Sequence, residues 1–135
     1  MRTKSTISAS DAAIIIAAAK IEAEKNQWKV SIAVVDEAGY LVHLERADGA
    51  GLQSAQIAEM KARTAALGKA PTKVFEDMVK ERPAIALMPN RLPVQGGVPI
   101  SHEGDCVGGI GVSGVKSHED EQVALAGLNA LLAKA

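Results

Sequence analysis

Hydrophobic and polar positions near the N-terminus follow the period of a helix. A first helix is predicted over Ala9–Asn26, because the apolar run Ala12–Ala19 passes into an amphipathic second half. Ser8 and Asp11 stand three positions apart at its start, which is the spacing of a capping box that satisfies free backbone donors. The apolar half has no polar side, so we expect the sheet and a neighbouring subunit to cover it.

The next segment follows the period of a strand and folds back on itself. Val30–Val35 is short and β-branched, and Tyr40–Arg46 alternates apolar with polar residues. Asp36–Gly39 between them has turn chemistry, and so short a connection cannot carry a parallel crossover. We therefore predict an antiparallel hairpin.

Two further helices are predicted between breaks in the pattern. Leu52–Leu67 has helical spacing after the glycine-rich break at Asp48–Gly51, and Gly68 is predicted to close this helix. A shorter helix is predicted from Pro71 to about Lys80, because proline is favoured in a first helical turn.

The segment from Pro83 to Gly114 is dense in proline and glycine, which predicts loops around a second hairpin. Val98–His102 and Cys106–Val112 flank the turn residues Glu103–Asp105, and this spacing favours two more antiparallel strands. Loops are expected to fill the rest of the segment.

A final helix, Ser117–Ala133, completes the order of elements, and Ser117 with Asp120 is predicted to form its capping box. Helix, two strands, two helices, two or three strands and a helix are typical of an α+β fold in which helices flank an antiparallel sheet. A chain of 135 residues is long enough for one domain and too short for two ordinary ones. We therefore predict a single domain over residues 1–135.

Charge and composition exclude several classes of function. The chain carries 15 basic and 16 acidic residues, which provide no electrostatic footprint for nucleic acid or an anionic membrane. Its apolar runs are far shorter than the roughly 20 residues of a membrane span, and no signal-peptide cleavage pattern is present, so we expect a cytoplasmic protein. A single cysteine excludes a disulfide framework. Aromatic residues make up 2% of the chain, so small aliphatic side chains must build the core, and an oligomer would bury more of their surface.

One glycine pattern, Gly109–Gly114, matches the dinucleotide motif G-x-G-x-x-G letter for letter, but its surroundings do not fit such a site. A Rossmann site needs a second parallel strand after the helix and an acidic residue about 20 positions further on. Glu119, Asp120 and Glu121 at the start of the next helix would also repel a pyrophosphate. We expect these glycines to let a strand pass close to a helix or a ligand.

Histidine and carboxylate side chains are the first candidates for chemistry. His43 lies on the first predicted hairpin and His102 on the second, so neighbouring hairpins could bring both imidazoles to a metal or a haem iron. The alternative for each histidine is a surface or core-edge position without a ligand. Glu121 lies on the same helix face as His118. There it could bind a metal, or it could serve only to stabilise the start of the helix.

Two arginines are candidates for holding an anion. Arg46 ends a strand, and Arg63 lies on a helix among small residues. Their guanidinium groups could close on a small carboxylate through bidentate hydrogen bonds. The alternative is a structural ion pair, for example between Arg46 and Asp36 or Asp48.

Six short segments stand in a characteristic order along nearly the whole chain. They are Val34–Asp36 with Gly39, Glu45–Ala50, Lys61–Ala65, Gly96–Ile100, Val107–Gly114 and Asp120–Glu121. Together they resemble the GlcG/HbpS-like family, which also includes the C-terminal domain of PduO proteins. The resemblance implies a profilin-like antiparallel sheet between helices, in a three-layer arrangement, and a homo-oligomer that is often an octamer.

The same resemblance implies a ligand-binding role. The family includes haem-binding proteins, domains attached to corrinoid adenosyltransferases and proteins of catabolic operons. We expect an oligomeric protein that binds a small ligand, with haem or another tetrapyrrole as the most family-like one. Its crevice would be lined by Arg46, Arg63, Gly96, Gly97 and Pro99. The first helix has no His, Met or Cys between Ser8 and Gln27, where some relatives place a histidine ligand, so His43, His102, Cys106 or an oxygen ligand would bind the iron.

A second expectation belongs to a different class of protein: a small catabolic isomerase, hydratase or lyase that acts on a hydroxy or oxo carboxylic acid. Arg46 and Arg63 would hold the substrate carboxylate, and Asp36 or Glu121 would act as general base. A third is a structural partner of an operon enzyme. Replacing Arg63 by alanine distinguishes the three hypotheses. The substitution should abolish acid binding in the enzyme, weaken binding only modestly in the haem-binding protein, and have no specific effect in the structural partner.

Overall fold

Four α-helices and four β-strands follow one another in the predicted order in the computed structural model, which describes residues 1–134. The helices are α1 (Ala9–Lys25), α2 (Ser54–Gly68), α3 (Thr72–Glu81) and α4 (Ser117–Lys134). The strands are β1 (Ser31–Asp36), β2 (Leu41–Arg46), β3 (Gly97–His102) and β4 (Asp105–Ser113). A short 3-10 helix, Pro83–Leu87, lies in the segment that was expected to be loops.

The strands form one antiparallel sheet in the order β2-β1-β4-β3. Each hairpin contributes one inner and one outer strand, so β1 pairs with both β2 and β4. α1 and α4 pack together on one face of the sheet, and α2 covers the other. The predicted α+β fold, with helical layers on both sides of an antiparallel sheet, is confirmed. Within residues 1–134 we find no helix with the length and apolar character of a membrane span.

Alternation along the strands divides the core into two unlike halves. The half beneath α1 and α4 is aliphatic, and Ile32 and Val34 of β1 lie there with Ile110 and Val112 of β4. The half beneath α2 is built from small residues. Its buried members are Ala33, Val35, Ala58, Ala62 and Ala66. α2 can therefore approach the sheet closely, because few side-chain atoms stand between them.

Glycines of β3 and β4 bring α2 into direct contact with the sheet backbone. A Cβ on Gly97, Gly109 or Gly111 would overlap a carbonyl oxygen of that helix. At Gly111 the oxygen belongs to Ala58. The expectation that glycines of Gly109–Gly114 let a strand pass close to a helix is confirmed at Gly109 and Gly111, and the helix is α2.

The predicted start of α1 is confirmed, whereas the end of α2 differs in detail. The Ser8 hydroxyl accepts the Asp11 backbone N–H at 3.1 Å, and the Asp11 carboxylate accepts the Ser8 N–H at 3.2 Å. Gly68 is the last residue of α2 rather than the residue after it, and Lys69 adopts the left-handed conformation with φ of 56°. The Phe75 ring lies where a Cβ on Gly68 would be, so this glycine serves packing.

The predicted capping box of α4 is wrong. The helix begins at Ser117, so the third helical position is Glu119, and the Glu119 carboxylate accepts the Lys116 N–H at 3.2 Å. Asp120 points into the protein instead, where it is 1% exposed and pairs with Lys61. Spacing alone could not predict this, because the partner lies 59 residues away in the chain.

Candidate functional site

Arg63 lies at the turn between β1 and β2. Its Nε donates a hydrogen bond to the Gly39 carbonyl at 3.1 Å, and its Nη2 lies 3.9 Å from the Glu59 carboxylate. The guanidinium group is only partly exposed. Arg63 therefore supports the hairpin turn through a backbone contact.

Asp36 belongs to the same turn and is already engaged there. Its Oδ1 accepts the backbone N–H groups of Ala38 and Tyr40, each at 2.9 Å. Such contacts stabilise a tight turn, which is a common use of aspartate at the end of a strand. The structure thus brings Asp36 and Arg63 to one end of the hairpin, with the carboxylate committed to the backbone.

Arg46 is the last residue of β2 and lies at the other end of the same hairpin. It lines an open cleft with Lys20 and Trp28, and the ion pairs found within residues 1–134 do not include it. At about 3.3 Å per strand residue, roughly 20 Å of β2 separates Arg46 from the turn that Arg63 contacts. The expected crevice lined by both arginines is therefore not formed within one chain.

The two candidate metal-binding histidines lie on opposite edges of the sheet. His43 of β2 pairs with Val34, which pairs with Ile110, which in turn pairs with Val98 of β3. Three strand spacings of about 4.8 Å each separate His43 from β3, where His102 is the last residue. One chain does not bring the imidazoles together. Residues 1–134 also contain no cluster of three or more His, Cys, Asp or Glu side chains able to hold a metal.

His102 borders a cleft, here called the hairpin cleft, of about 360 Å³. It lies between the N-terminal segment, the β3–β4 hairpin and the end of α4. Its apolar lining residues are Ile7, Ile100, Val107, Leu131 and Leu132. Its polar lining residues are Ser5, Thr6, Asp11, Ser101, His102 and Lys134. Side-chain exposure at His102 is 54%, so the imidazole is accessible at the edge of a cleft that has both apolar and polar walls.

Charged groups of the hairpin cleft influence one another. Hydrogen bonds from Ser8 lower the pKa of Asp11, and the charges of Lys134 and His102 lower it further. The Asp11 carboxylate therefore stays ionised at neutral pH and faces two basic groups across the cleft. The volume of the hairpin cleft falls within the range of about 300 to 1,000 Å³ that is typical of small-molecule sites.

A second cleft, here called the lysine cleft, lies at the opposite end of β4 and measures about 430 Å³. Its apolar walls are Ile57, Met60, Leu92, Val94 and Val115. Its polar lining residues are Gln53, Gln56, Lys61, Ser113, Ser117 and Asp120. Two of these, Lys61 and Asp120, form the one ion pair within residues 1–134 whose partners are both almost fully buried.

The ion pair of the lysine cleft is closely held. Lys61 Nζ lies 3.1 Å from Asp120 Oδ2 and donates to the Val112 carbonyl at 3.0 Å. Asp120 Oδ1 accepts the Val115 N–H at 3.1 Å. Burial raises the pKa of Asp120, while the Lys61 charge and the hydrogen bonds oppose that rise. Side-chain exposure of the two partners is only 3% and 2%.

Several predicted site residues do meet beside this pair. A Cβ on Gly96 would lie 2.7 Å from Lys61 Nζ, so the absence of a side chain makes room for the ammonium group. Gly97 follows, and its N–H is accepted by Thr72 Oγ1 at 2.9 Å. Glu121 accepts a hydrogen bond from the Gln95 side chain at 3.2 Å. Pro99 lies further along β3, opposite Gly109.

Lys61 and Asp120 are the site residues that sequence reasoning missed. Lys61-Ala62-Arg63-Thr64 places two cations on one helix, and the sequence favours Arg63 as the anion-binding one because small residues surround it. The structure buries Lys61 and leaves Arg63 at the surface of the turn. Helical geometry explains the difference, since residues two apart on a helix point to different sides.

Comparison with known proteins agrees with this fold. A family model described as "Haem degrading protein HbpS-like" matches residues 7–129. Protein GlcG of Escherichia coli K12 is 46% identical over 114 residues, which cover 84% of this chain and 85% of GlcG.

Solved structures of the same architecture include an HbpS double mutant from Streptomyces reticuli, which is 37% identical with a TM-score of 0.93 over 97% of this chain and 90% of that one. The PduOC–haem complex is 27% identical with a TM-score of 0.86 over 93% and 95% of the two chains. Klebsiella pneumoniae ORFY is 25% identical with a TM-score of 0.94 over 98% and 95%. The family model matches most of the chain, and GlcG is 46% identical over 84% of it. This protein therefore belongs to the HbpS-like family.

Proposed function

We propose that this protein binds haem, or a tetrapyrrole of the same shape, in the hairpin cleft. The carrying observation is the accessible His102 imidazole in a cleft that combines apolar walls with the cation Lys134. A related protein, PduOC, has been solved in complex with haem, and its fold matches that of this chain. The family model, too, is described by its action on haem.

The lining of the hairpin cleft fits the chemistry of haem. Histidine is a common axial ligand of haem iron, and bound iron would supply the coordination chemistry of the site. Leu131 and Leu132, the apolar lining residues that are not buried, offer aliphatic contact to the porphyrin face. The Lys134 ammonium group is suited to pair with a propionate. His43 lines none of the clefts described above, so His102 is the better candidate for the axial ligand.

The test is an absorbance titration of the purified protein with haemin. We expect a saturable shift of the Soret band in the unmodified protein and in His43→Ala, and loss of that shift in His102→Ala. His43→Ala is the matched control, because it removes an imidazole from the opposite edge of the sheet. Free haemin and albumin measure nonspecific binding. A shift no larger than that of albumin, or one that only His43→Ala abolishes, would refute the proposal.

We also propose that the chain assembles into a homo-oligomer, an octamer as the family resemblance implies. Large apolar side chains on the outer helical layer support association, with exposures of 66% at Ile21 and 39% at Leu125. Light scattering is expected to give eight times the 14.0 kDa mass of the chain, and Ile21→Asp is expected to lower it. A monomeric mass would contradict the proposal.

Cytoplasmic location and single-domain organisation stay predictions from the sequence. Cell fractionation tests the first, and limited proteolysis tests the second.

A further inference from the structure

We propose that the lysine cleft is a second binding site, separate from the hairpin cleft, for a small organic carboxylate with a short apolar body. The carboxylate would accept a hydrogen bond from the Lys61 ammonium group at the floor of the cleft. This site does not depend on haem binding, because it lies at the opposite end of β4 and shares no lining residue with the hairpin cleft.

The count of hydrogen-bond donors at Lys61 carries the proposal. An ammonium group has three N–H donors. The Val112 carbonyl and the Asp120 carboxylate occupy two of them, and the third has no partner among residues 1–134. Lys61 is 2% exposed, yet it lines the cleft. A buried donor that faces a cleft is satisfied best by an acceptor that enters the cleft.

The surroundings of Lys61 favour an acceptor over a donor. Each oxygen of Asp120 already accepts one hydrogen bond, one from Lys61 and the other from the Val115 N–H. Two further acids near the start of α4 also accept hydrogen bonds, Glu119 from the Lys116 N–H and Glu121 from the Gln95 side chain. The start of α4, whose first backbone N–H groups have no helical acceptor, adds positive potential at Ser117.

The walls of the cleft define the rest of the ligand. Aliphatic side chains such as Ile57, Leu92 and Val94 surround the entrance, so an apolar body is accommodated above the carboxylate. Amides of Gln53 and Gln56 supply further donors at the rim. Phosphate fits less well, because it has no apolar part and its second charge would meet a lysine already neutralised by Asp120.

The test uses butyrate as the probe, with butyramide as its neutral counterpart and inorganic phosphate as a small anion without an apolar body. Saturation-transfer difference NMR detects weak binding to a large assembly. We expect saturable binding of butyrate, at least about tenfold weaker binding of butyramide, since a hydrogen bond between charged groups is lost, and no displacement by phosphate. Equal binding of butyramide, displacement by phosphate, or no butyrate signal would each overturn the proposal.

Variants locate the probe. Val94→Trp fills the cleft and leaves both residues of the ion pair in the chain, and it should abolish the butyrate signal while the haemin titration stays unchanged. Val74→Trp is the matched control, because it places the same residue at an exposed valine of α3 that does not line the lysine cleft, and it should bind butyrate normally. The double variant Lys61→Met with Asp120→Leu removes both charges together and should also lose butyrate. If Val94→Trp does not fold, the double variant alone tests whether butyrate binds in the lysine cleft. Butyrate binding that is retained in the double variant would refute the assignment.

Discussion

Replacing Lys61 by methionine, which has a similar length but no charge, is expected to lower the free energy of unfolding by about 3 to 5 kcal/mol. The size of the loss follows from the burial of the pair, because side-chain exposure is only 3% at Lys61 and 2% at Asp120. Without the ammonium group, the Asp120 carboxylate keeps one hydrogen bond, from the Val115 N–H, and no compensating charge. Whole domains are stable by only about 5 to 15 kcal/mol, so a loss of this size is large.

The loss should depend on pH with a definite sign. Burial already raises the pKa of Asp120 above its usual 3.8, and Lys61 opposes that rise. Lys61→Met therefore raises the folded-state pKa further. A carboxyl whose pKa is raised on folding stabilises the protein most below its unfolded pKa, and this contribution is lost as the pH rises through the folded pKa. The variant should therefore lie closest to the unmodified protein near pH 4 and furthest from it at neutral pH.

Urea unfolding followed by circular dichroism measures both effects, with the double variant Lys61→Met and Asp120→Leu as the essential comparison. Removing both charges leaves no buried ion, so the double variant should recover most of the stability that the single variant loses. If Lys61→Met costs less than about 1 kcal/mol, or if the effects of the two substitutions simply add, the pair is not the desolvated, coupled contact described above.

Two further substitutions test the packing and the helix start by the same unfolding measurement. Gly111→Ala should cost about 3 kcal/mol or more, because its Cβ would overlap the Ala58 carbonyl, whereas Gly51→Ala, which meets no atom within 4 Å, should be nearly neutral. Equal effects would contradict the close approach of α2. Ser8→Ala should cost about 1 kcal/mol at neutral pH. Hydrogen bonds from Ser8 lower the pKa of Asp11, so that part of the stability is lost as the pH falls from 3.8 through the folded pKa, and a cap effect that grows in acid would refute this account.

Most of the fold could be predicted because it depends on local patterns. The capping box at Ser8 and the turn chemistry after β1 specify α1 and the first hairpin within a few residues of sequence. Family resemblance then supplied the arrangement of the layers. The end of α2 differs from the prediction because Gly68 makes room for the Phe75 ring. Tertiary contacts of that kind are not encoded in the local spacing of residues.

The candidate site was harder to predict because it depends on which strands become neighbours. The expected meeting of Arg46 and Arg63 failed because they lie at opposite ends of one hairpin, and His43 and His102 ended on opposite edges of the sheet. Asp120 is an acidic residue three positions after Ser117, which is the spacing of a capping box. A buried acidic partner of Lys61 would give the same pattern in the sequence. Only the tertiary structure, which brings Lys61 of α2 and Asp120 of α4 together near the end of β4, distinguishes the two interpretations.

The contact between α2 and the glycines of the sheet has a consequence for how this protein tolerates sequence change. Beneath α1 and α4, aliphatic side chains can exchange volume with their neighbours through new rotamers. Beneath α2 the touching surfaces are largely main chain, which has no rotamers with which to relax. Substitutions should therefore accumulate on one side of the sheet and be rejected on the other, and randomised libraries of the two layers should survive selection for folding at very different rates.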